Sequence, residues 1–297
     1  MSSVRASAER PDTVRGILLM LATVLCFVCL DTLSKQLVAI YPVGQVVWAR
    51  YTVHFLIMFL LLAPSMRFAL IRTRHLKLQL TRAVLLLICT ASFFTALRYL
   101  PMADAVSIGF LSPLLVTVLS IPMLKEKVGV RRWVAVVIGF CGMLIIVRPG
   151  AGVMHWAVIF PLITAVGYAV YQIITRMLSG KENPFTTLFY TAVVGAAVAT
   201  AALPLFWVTP TPLHWLMLIG TGVFGGVGHF MMIKALELAP ASALAPISYT
   251  QLIWATLFGY LFFGDFPDGW TMVGAAIIVG AGVFVFYREQ QLARRGG

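Results

Sequence analysis

Residues 235–265 read ALELAPASALAPISYTQLIWATLFGYLFFGD, and residues 96–126 read ALRYLPMADAVSIGFLSPLLVTVLSIPMLKE. Ala96, Leu97, Pro101, Ile108 and Thr117 stand 139 positions before Ala235, Leu236, Pro240, Ile247 and Thr256, and Glu126 stands as far before the acidic Asp265. Each stretch closes one apolar helix, breaks at a proline and opens another. A supersecondary unit that recurs at half the chain length divides the chain into two related halves.

Composition sets the solvent of those halves. The 297 residues are 61% hydrophobic and 11% charged, with a mean hydropathy of +0.96; a soluble domain carries about 25% charged residues. The surface must therefore be covered largely by lipid, and a bilayer core asks for about 20 apolar residues per helix. Ten such spans can be drawn, at 16–38, 43–63, 78–98, 102–124, 130–148, 154–178, 185–207, 213–236, 241–263 and 268–287. The first fifteen residues are polar and the run after them is too long for a signal-peptide core, so it is read as the first membrane helix, with no cleavable signal expected and a disordered tail before it.

The repeat extends beyond the opening stretch. ATVLCFVCLDTLSKQL in span one matches ITAVGYAVYQIITRML in span six at an offset of 141, pairing Thr23 with Thr164, Phe27 with Tyr168, Asp31 with Gln172 and Lys35 with Arg176. Gly142 and Arg148 match Gly282 and Arg288 at an offset of 140. The expected organisation is a tail at 1–15, one repeat at 16–149, a second at 150–288 and a tail at 289–297. Five spans per half is an odd number, so the second copy is upside down relative to the first. The fold class is an all-α polytopic membrane protein of ten helices in two inverted-topology repeats, a construction of secondary transporters whose solute site lies at the midplane.

The net charge of +12 sorts by side. With the N-terminus inside, the inner segments carry Arg5, Arg10, Arg15, Arg67, Arg72, Arg74, Lys77, Lys125, Lys127, Arg131, Arg132, Lys181, Arg288, Arg294 and Arg295, and the outer ones almost nothing but Arg148. That asymmetry places both termini in the cytoplasm. It also accounts for the basic balance without nucleic acid, for which there is no soluble basic domain. Cys26, Cys29, Cys89 and Cys141 all fall in apolar spans and are read as small packing residues; no metal site or cofactor is expected. Pro113, Pro122, Pro161 and Pro246 fall inside spans and are expected to bend them. GxxxG-type faces, such as Gly222 with Gly226, are expected to pack within one chain, and the protein is read as a monomer or homodimer.

Ionisable residues inside a bilayer face the bundle interior or water. Asp31 and Arg50 lie ten and nine residues from the turn near Tyr41, at one depth on the order of 14 Å from the outer end at a 1.5 Å rise per residue. They are expected to pair, as a latch or as direct solute ligands. Lys35 is expected to meet Asp31 one turn away or to snorkel outward. His229 sits in a glycine-rich helix. Phe110, Tyr168, Gln172, Tyr249 and Gln251 supply aromatic walls and hydrogen-bonding groups. The expected substrate-binding set is thus Asp31, Arg50, Phe110, Tyr168, Gln172, His229, Tyr249 and Gln251. No HExxH, GxSxG or P-loop pattern occurs, so no catalytic residue is expected and primary active transport by this chain is disfavoured.

ALELAPASALAPISYTQLIWATLFGYLFFGD followed by GAAIIVGAGVFV, and ALRYLPMADAVSIGFLSPLLVTVLSIPMLKEKV followed by IGFCGMLIIVRPG, resemble the two copies of the ten-helix EamA-type members of the drug/metabolite transporter superfamily. One departure is Asp265, where the family usually has Glu; Glu126 keeps it in the first half. The resemblance implies a bacterial inner-membrane carrier whose cavity is lined by spans one, three, four, six, eight and nine. It implies a small-molecule substrate moved mostly outward, with YddG-like amino-acid export as the first reading. Uptake or exchange of another metabolite, such as S-adenosylmethionine or a nucleoside, is the alternative. A membrane-embedded enzyme or lipid-handling protein is a reading of a different class.

Overall fold

The computed structural model describes residues 13–66, 70–125, 129–148, 156–239, 244 and 247–295. The N-terminal tail through residue 12, Arg67, Glu126, Lys127, Pro246 and the Pro240–Ser242 break lie outside the described residues. Every regular element among the described residues is a helix: α1 (Thr13–Ile40), α2 (Val43–Met66), α3 (Leu76–Tyr99), α4 (Met102–Gly109), α5 (Ser112–Leu124), α6 (Val130–Val147), α7 (Ile159–Leu178), α8 (Pro184–Ala202), α9 (Pro212–Leu238), α10 (Thr250–Phe263) and α11 (Gly269–Arg295). Among the described residues, nine segments are long and apolar enough to cross a bilayer, and α10 is a shorter apolar helix.

Local chemistry sets the helix ends. Pro184 and Pro212 stand in first turns, where the missing N–H would be unpaired anyway. Asn183 Oδ1 accepts from the Phe185 N–H at 2.8 Å, and Thr211 Oγ1 from the His214 N–H at 3.3 Å. Gly264 closes α10 at φ 70°, the left-handed position that suits glycine. Span four, drawn as one helix, is broken at Phe110–Leu111. Pro113 lies in the first turn of α5, and it has no N–H for the carbonyl four residues back. Pro161 likewise falls in the first turn of α7 rather than inside it.

The two halves are related in packing as well as in sequence. α1 lies on α9 as α7 lies on α3, and α2 lies on α9 as α8 lies on α3. α2 with α8, α4 with α10, and α6 with α11 pack across the axis between the halves. The paired threonines show how closely the relation holds. Thr23 Oγ1 reaches the Leu19 carbonyl at 2.9 Å and, across the crossing, the Gly228 carbonyl at 3.4 Å. Thr164 Oγ1 reaches the Phe160 carbonyl at 3.0 Å and, across its own crossing, the Cys89 carbonyl at 3.2 Å.

Small residues bring backbones together inside the chain. A Cβ on Gly142 would stand 2.8 Å from the Gly274 carbonyl oxygen, and one on Gly274 would stand 2.5 Å from that of Gly142. Gly222 abuts Val53, and Gly226 abuts His54, so the α9 glycine face is covered by α2. Apolar side chains such as Val137, Ile138, Ile253 and Leu261 face outward, as lipid-covered helices require.

Helices alternate in direction, which defines two sides. One, the hairpin side, carries the α1–α2, α3–α4, α8–α9 and α10–α11 connections. The other, the terminus side, carries the start of α1 and the end of α11. The twofold relation is not exact. α1 packs against α3, whereas packing between their counterparts α7 and α9 is at most slight among the described residues.

Candidate functional site

The polar centre of the bundle is built by α1, α2, α3, α9 and α10. Asp31 is buried on α1 and accepts from Gln251 Nε2 of α10 at 3.4 Å. Arg50 is buried on α2 and donates to Thr90 Oγ1 of α3, which also meets the Tyr51 hydroxyl at 2.9 Å. The Arg50 guanidinium stands 5.1 Å from the Tyr51 ring centre and 5.7 Å from that of Phe94, distances at which a cation is held by an aromatic face.

The expected Asp31–Arg50 ion pair is not formed. Each takes the neutral partner just named, and no ion-pair contact within 4.0 Å joins them. The reason lies in the packing. The pairing assumed that α1 and α2 lie side by side, but α9 and α3 pack against both of them and the two hairpin arms barely touch. Lys35 also finds its partners elsewhere. Its Nζ is 3.0 Å from Asp265 Oδ2 and donates to the Leu100 carbonyl at 2.7 Å, so it does not pair with Asp31 but reaches outward to the hairpin-side ends of α3 and α10.

Arg50 Nε is buried without a hydrogen-bond partner, and so is His54 Nε2 one turn further along α2. Opposite Arg50 Nε stands Gly225 of α9, where an added Cβ would lie 3.6 Å away. A buried polar donor left unpaired costs about 1–3 kcal/mol.

The other expected residues divide into those drawn together and those that are not. Phe110, at the end of α4, and Tyr249, at the start of α10, pack at 5.1 Å between ring centres. The Tyr249 hydroxyl lies against α11, where a Cβ on Gly282 would come within 2.1 Å of it. His229 meets the Phe27 ring at 5.0 Å and stacks on His54 at 5.7 Å. Tyr168 stacks on Tyr171 at 5.2 Å within α7. Gln172 is half-buried on that helix and takes no part in the Asp31–Gln251 contact.

The sequence reading passed over Arg82. It is buried on α3, with Nε donating to Thr175 Oγ1 at 2.6 Å, Nη1 to Thr191 Oγ1 at 2.7 Å and to the Thr187 carbonyl at 3.1 Å, and Nη2 to the Tyr171 hydroxyl. The Tyr171 ring centre is 4.2 Å from its guanidinium. The signal was available, because position 82 falls inside the span drawn at 78–98.

Two inverted bundles of apolar helices around a buried acid and a buried base define a multi-pass membrane carrier of small solutes. The EamA-like transporter family matches residues 14–148 and 155–287, and the chain belongs to that family. The S-adenosylmethionine uptake transporter of Rickettsia bellii (strain RML369-C) is 31% identical over 221 residues, which is 74% of this chain and 76% of that protein. The riboflavin transporter of Rhizobium johnstonii is 26% identical, covering 99% of this chain and 98% of its own. The pseudopaline exporter of Pseudomonas aeruginosa is 28% identical, covering 89% and 93%. A crystal structure with a TM-score of 0.65 and 19% identity covers 94% of this chain and 98% of that one, and supports the fold.

Proposed function

We propose that the protein is a secondary carrier for small zwitterionic metabolites with an amino-acid head group, working by alternating access in a bacterial inner membrane with both ends in the cytoplasm. The two repeats, 16–149 and 150–288, are its moving halves. The observation that carries this reading is the separation of Asp31 from Arg50. A carboxyl and a guanidinium are buried in one polar centre, each with a neutral partner, and one guanidinium N–H is left over. A zwitterion completes both: its ammonium answers Asp31 and its carboxylate answers Arg50. Phe110, Tyr249, Tyr168 and Phe27 provide aromatic walls for an apolar side chain, with Gln251, Gln172 and His229 as hydrogen-bonding groups.

Amino acids moved outward are the first substrate reading. S-adenosylmethionine moved inward is the second, favoured by the Rickettsia relative, and it carries the same head group. The unequal packing supports alternating access: at the hairpin end Lys35 of α1 donates to the Leu100 carbonyl that follows α3, while α7–α9 packing is at most slight among the described residues.

The test is counterflow in proteoliposomes holding the purified full chain. Labelled leucine and labelled S-adenosylmethionine are offered, with riboflavin as a solute lacking the zwitterionic head. Exchange of a zwitterion is expected, with weak competition from isoamylamine or isocaproate, each of which keeps one charge only. Asp31→Asn is expected to lower exchange about 10–100-fold, the worth of a charged hydrogen bond of about 1.5–3 kcal/mol. Exchange of riboflavin alone, or wild-type exchange by Asp31→Asn, sinks the zwitterion reading.

A further inference from the structure

The hairpin side carries a second cationic site, outside the polar centre. An open groove of about 490 Å³ lies between α1, α3, α9 and α10, with Lys35, Gln36, Arg98 and His214 among Phe262 and Phe263. Among the described residues no Asp or Glu lines it, although Asp265 stands 3.0 Å from Lys35 Nζ. Arg98 is exposed one residue before the end of α3, and its guanidinium stands 6.0 Å from the Tyr99 ring centre. His214 is held at the rim by its Nδ1, 2.8 Å from the Tyr41 hydroxyl.

Lys35 lies deeper. Its side chain is 13% exposed and Asp265 is 33% exposed. An ammonium has three protons; the Asp265 carboxylate and the Leu100 carbonyl use two of them, and the Phe263 ring centre stands 5.1 Å from Nζ. Those two contacts tie α1 to the end of α3 and to the α10–α11 connection. Asp31 follows one turn deeper on α1, about 6 Å along the axis at 1.5 Å per residue. The order from surface to centre is therefore Arg98, Lys35, then Asp31 with Arg50.

We propose that this groove is an outer binding site for the carboxylate of a solute arriving from the hairpin side. Arg98 captures the carboxylate at the rim. Lys35 receives it in exchange for Asp265, so that the tie between α1, α3 and the α10–α11 connection is released when the site is filled. A carboxylate matches the groove because its lining is cationic, and its apolar part lies on Phe262 and Phe263. An amine without a carboxylate meets Arg98 at the rim and must compete with Lys35 for Asp265. The inference rests on the zwitterionic reading of the solute, but its test does not need transport.

Gln36→Cys puts a reporter in the groove, and the native cysteines at 26, 29, 89 and 141, all within helices, set the background in the unmodified protein. The full chain in liposomes is treated with a membrane-impermeant maleimide in the presence of leucine, isocaproate or isoamylamine. Leucine and isocaproate are expected to slow labelling, and isoamylamine is not. Arg98→Gln, an exposed position that leaves the bundle intact, is expected to weaken protection about tenfold, and Lys35→Met to abolish it. Asp265→Asn, which removes the competing carboxylate, is expected to strengthen it. Equal protection by amine and acid, no protection by either, or protection unchanged in Arg98→Gln overturns the outer site. Protection without any counterflow of zwitterions keeps the outer site and overturns the proposed function instead.

Discussion

Arg50 and Arg82 are the two arginines buried among the described residues, and they are finished in opposite ways. Arg82 is enclosed by Thr175, Thr187, Thr191 and Tyr171, with a donor from each guanidinium nitrogen in use. Arg50 has one hydrogen-bonded partner, Thr90, and an orphan Nε facing the bare backbone of Gly225. The first arrangement is complete within the protein and joins α3 to α7 and α8. The second leaves over the donor that the proposed zwitterion would use.

That contrast can be broken from either side. The largest effect is expected at Arg82. Arg82→Gln takes donors from several buried acceptors at once, at about 1–3 kcal/mol each, so a loss of about 3 kcal/mol or more is expected in denaturant or thermal unfolding of the detergent-solubilised chain. Unfolding at the wild-type midpoint would show that the cage is dispensable.

Next is Gly225. Alanine there meets Arg50 Nε at 3.6 Å, an ordinary contact, and Gly225→Ala is expected to exchange solute near the wild-type rate. Gly225→Leu fills the space beside the orphan donor, and overpacking of about 1–3 kcal/mol lowers exchange roughly 10–100-fold. Equal exchange by both variants would place the solute elsewhere.

Smaller and matched effects are expected at the threonines that seal the two helix crossings. Thr23→Val and Thr164→Val each lose one cross-helix bond, at about 0.5–1.5 kcal/mol. Similar destabilisation by both is the mark of the inverted repeat; a loss confined to one would show that only one crossing uses its hydroxyl.

The smallest effect lies in the connections. Partial burial pushes the Glu182 carboxyl up, but hydrogen bonds from His75, the Arg74 N–H and Thr73 outweigh it and hold it below the ordinary glutamate range. The Thr271 N–H, and then Arg148, hold Asp268 below the ordinary aspartate range. Carboxyls lowered on folding contribute stability that is full above their unfolded values and is lost as pH falls through their folded values. A flat thermal midpoint is therefore expected from neutrality down to about pH 5, with a modest decline below about pH 4. In Glu182→Gln with Asp268→Asn that decline is expected to shrink, and an unchanged decline would assign it to other groups.

The fold was legible because apolar length and a repeat survive in one dimension. The offset that pairs Thr23 with Thr164 also pairs their bonds, and the spans agree with the helices within a few residues except at span nine, drawn at 241–263, where the described helix α10 covers Thr250–Phe263, and where α11 runs on to Arg295. The break in span four was signalled only by Pro113. The site was less legible, because polar partners are set by which helices become neighbours. Asp31 and Arg50 share a depth, but α3 and α9 stand against both arms of their hairpin and supply Thr90 and Gly225 to Arg50. Lys35 finds Asp265, 230 residues away in the chain. The repeat itself carries a clue: Asp31 aligns with Gln172, so the acid of the polar centre stands where the two halves differ.

The most direct measurement sets Arg50→Gln beside Arg82→Gln and reads two quantities for each, the thermal midpoint in detergent and zwitterion counterflow per folded molecule in liposomes. The account predicts that Arg50→Gln keeps the wild-type midpoint and loses exchange by about 10–100-fold, while Arg82→Gln loses stability and its folded fraction still exchanges. Wild-type exchange by Arg50→Gln, or parallel loss of stability and exchange in both variants, would contradict it.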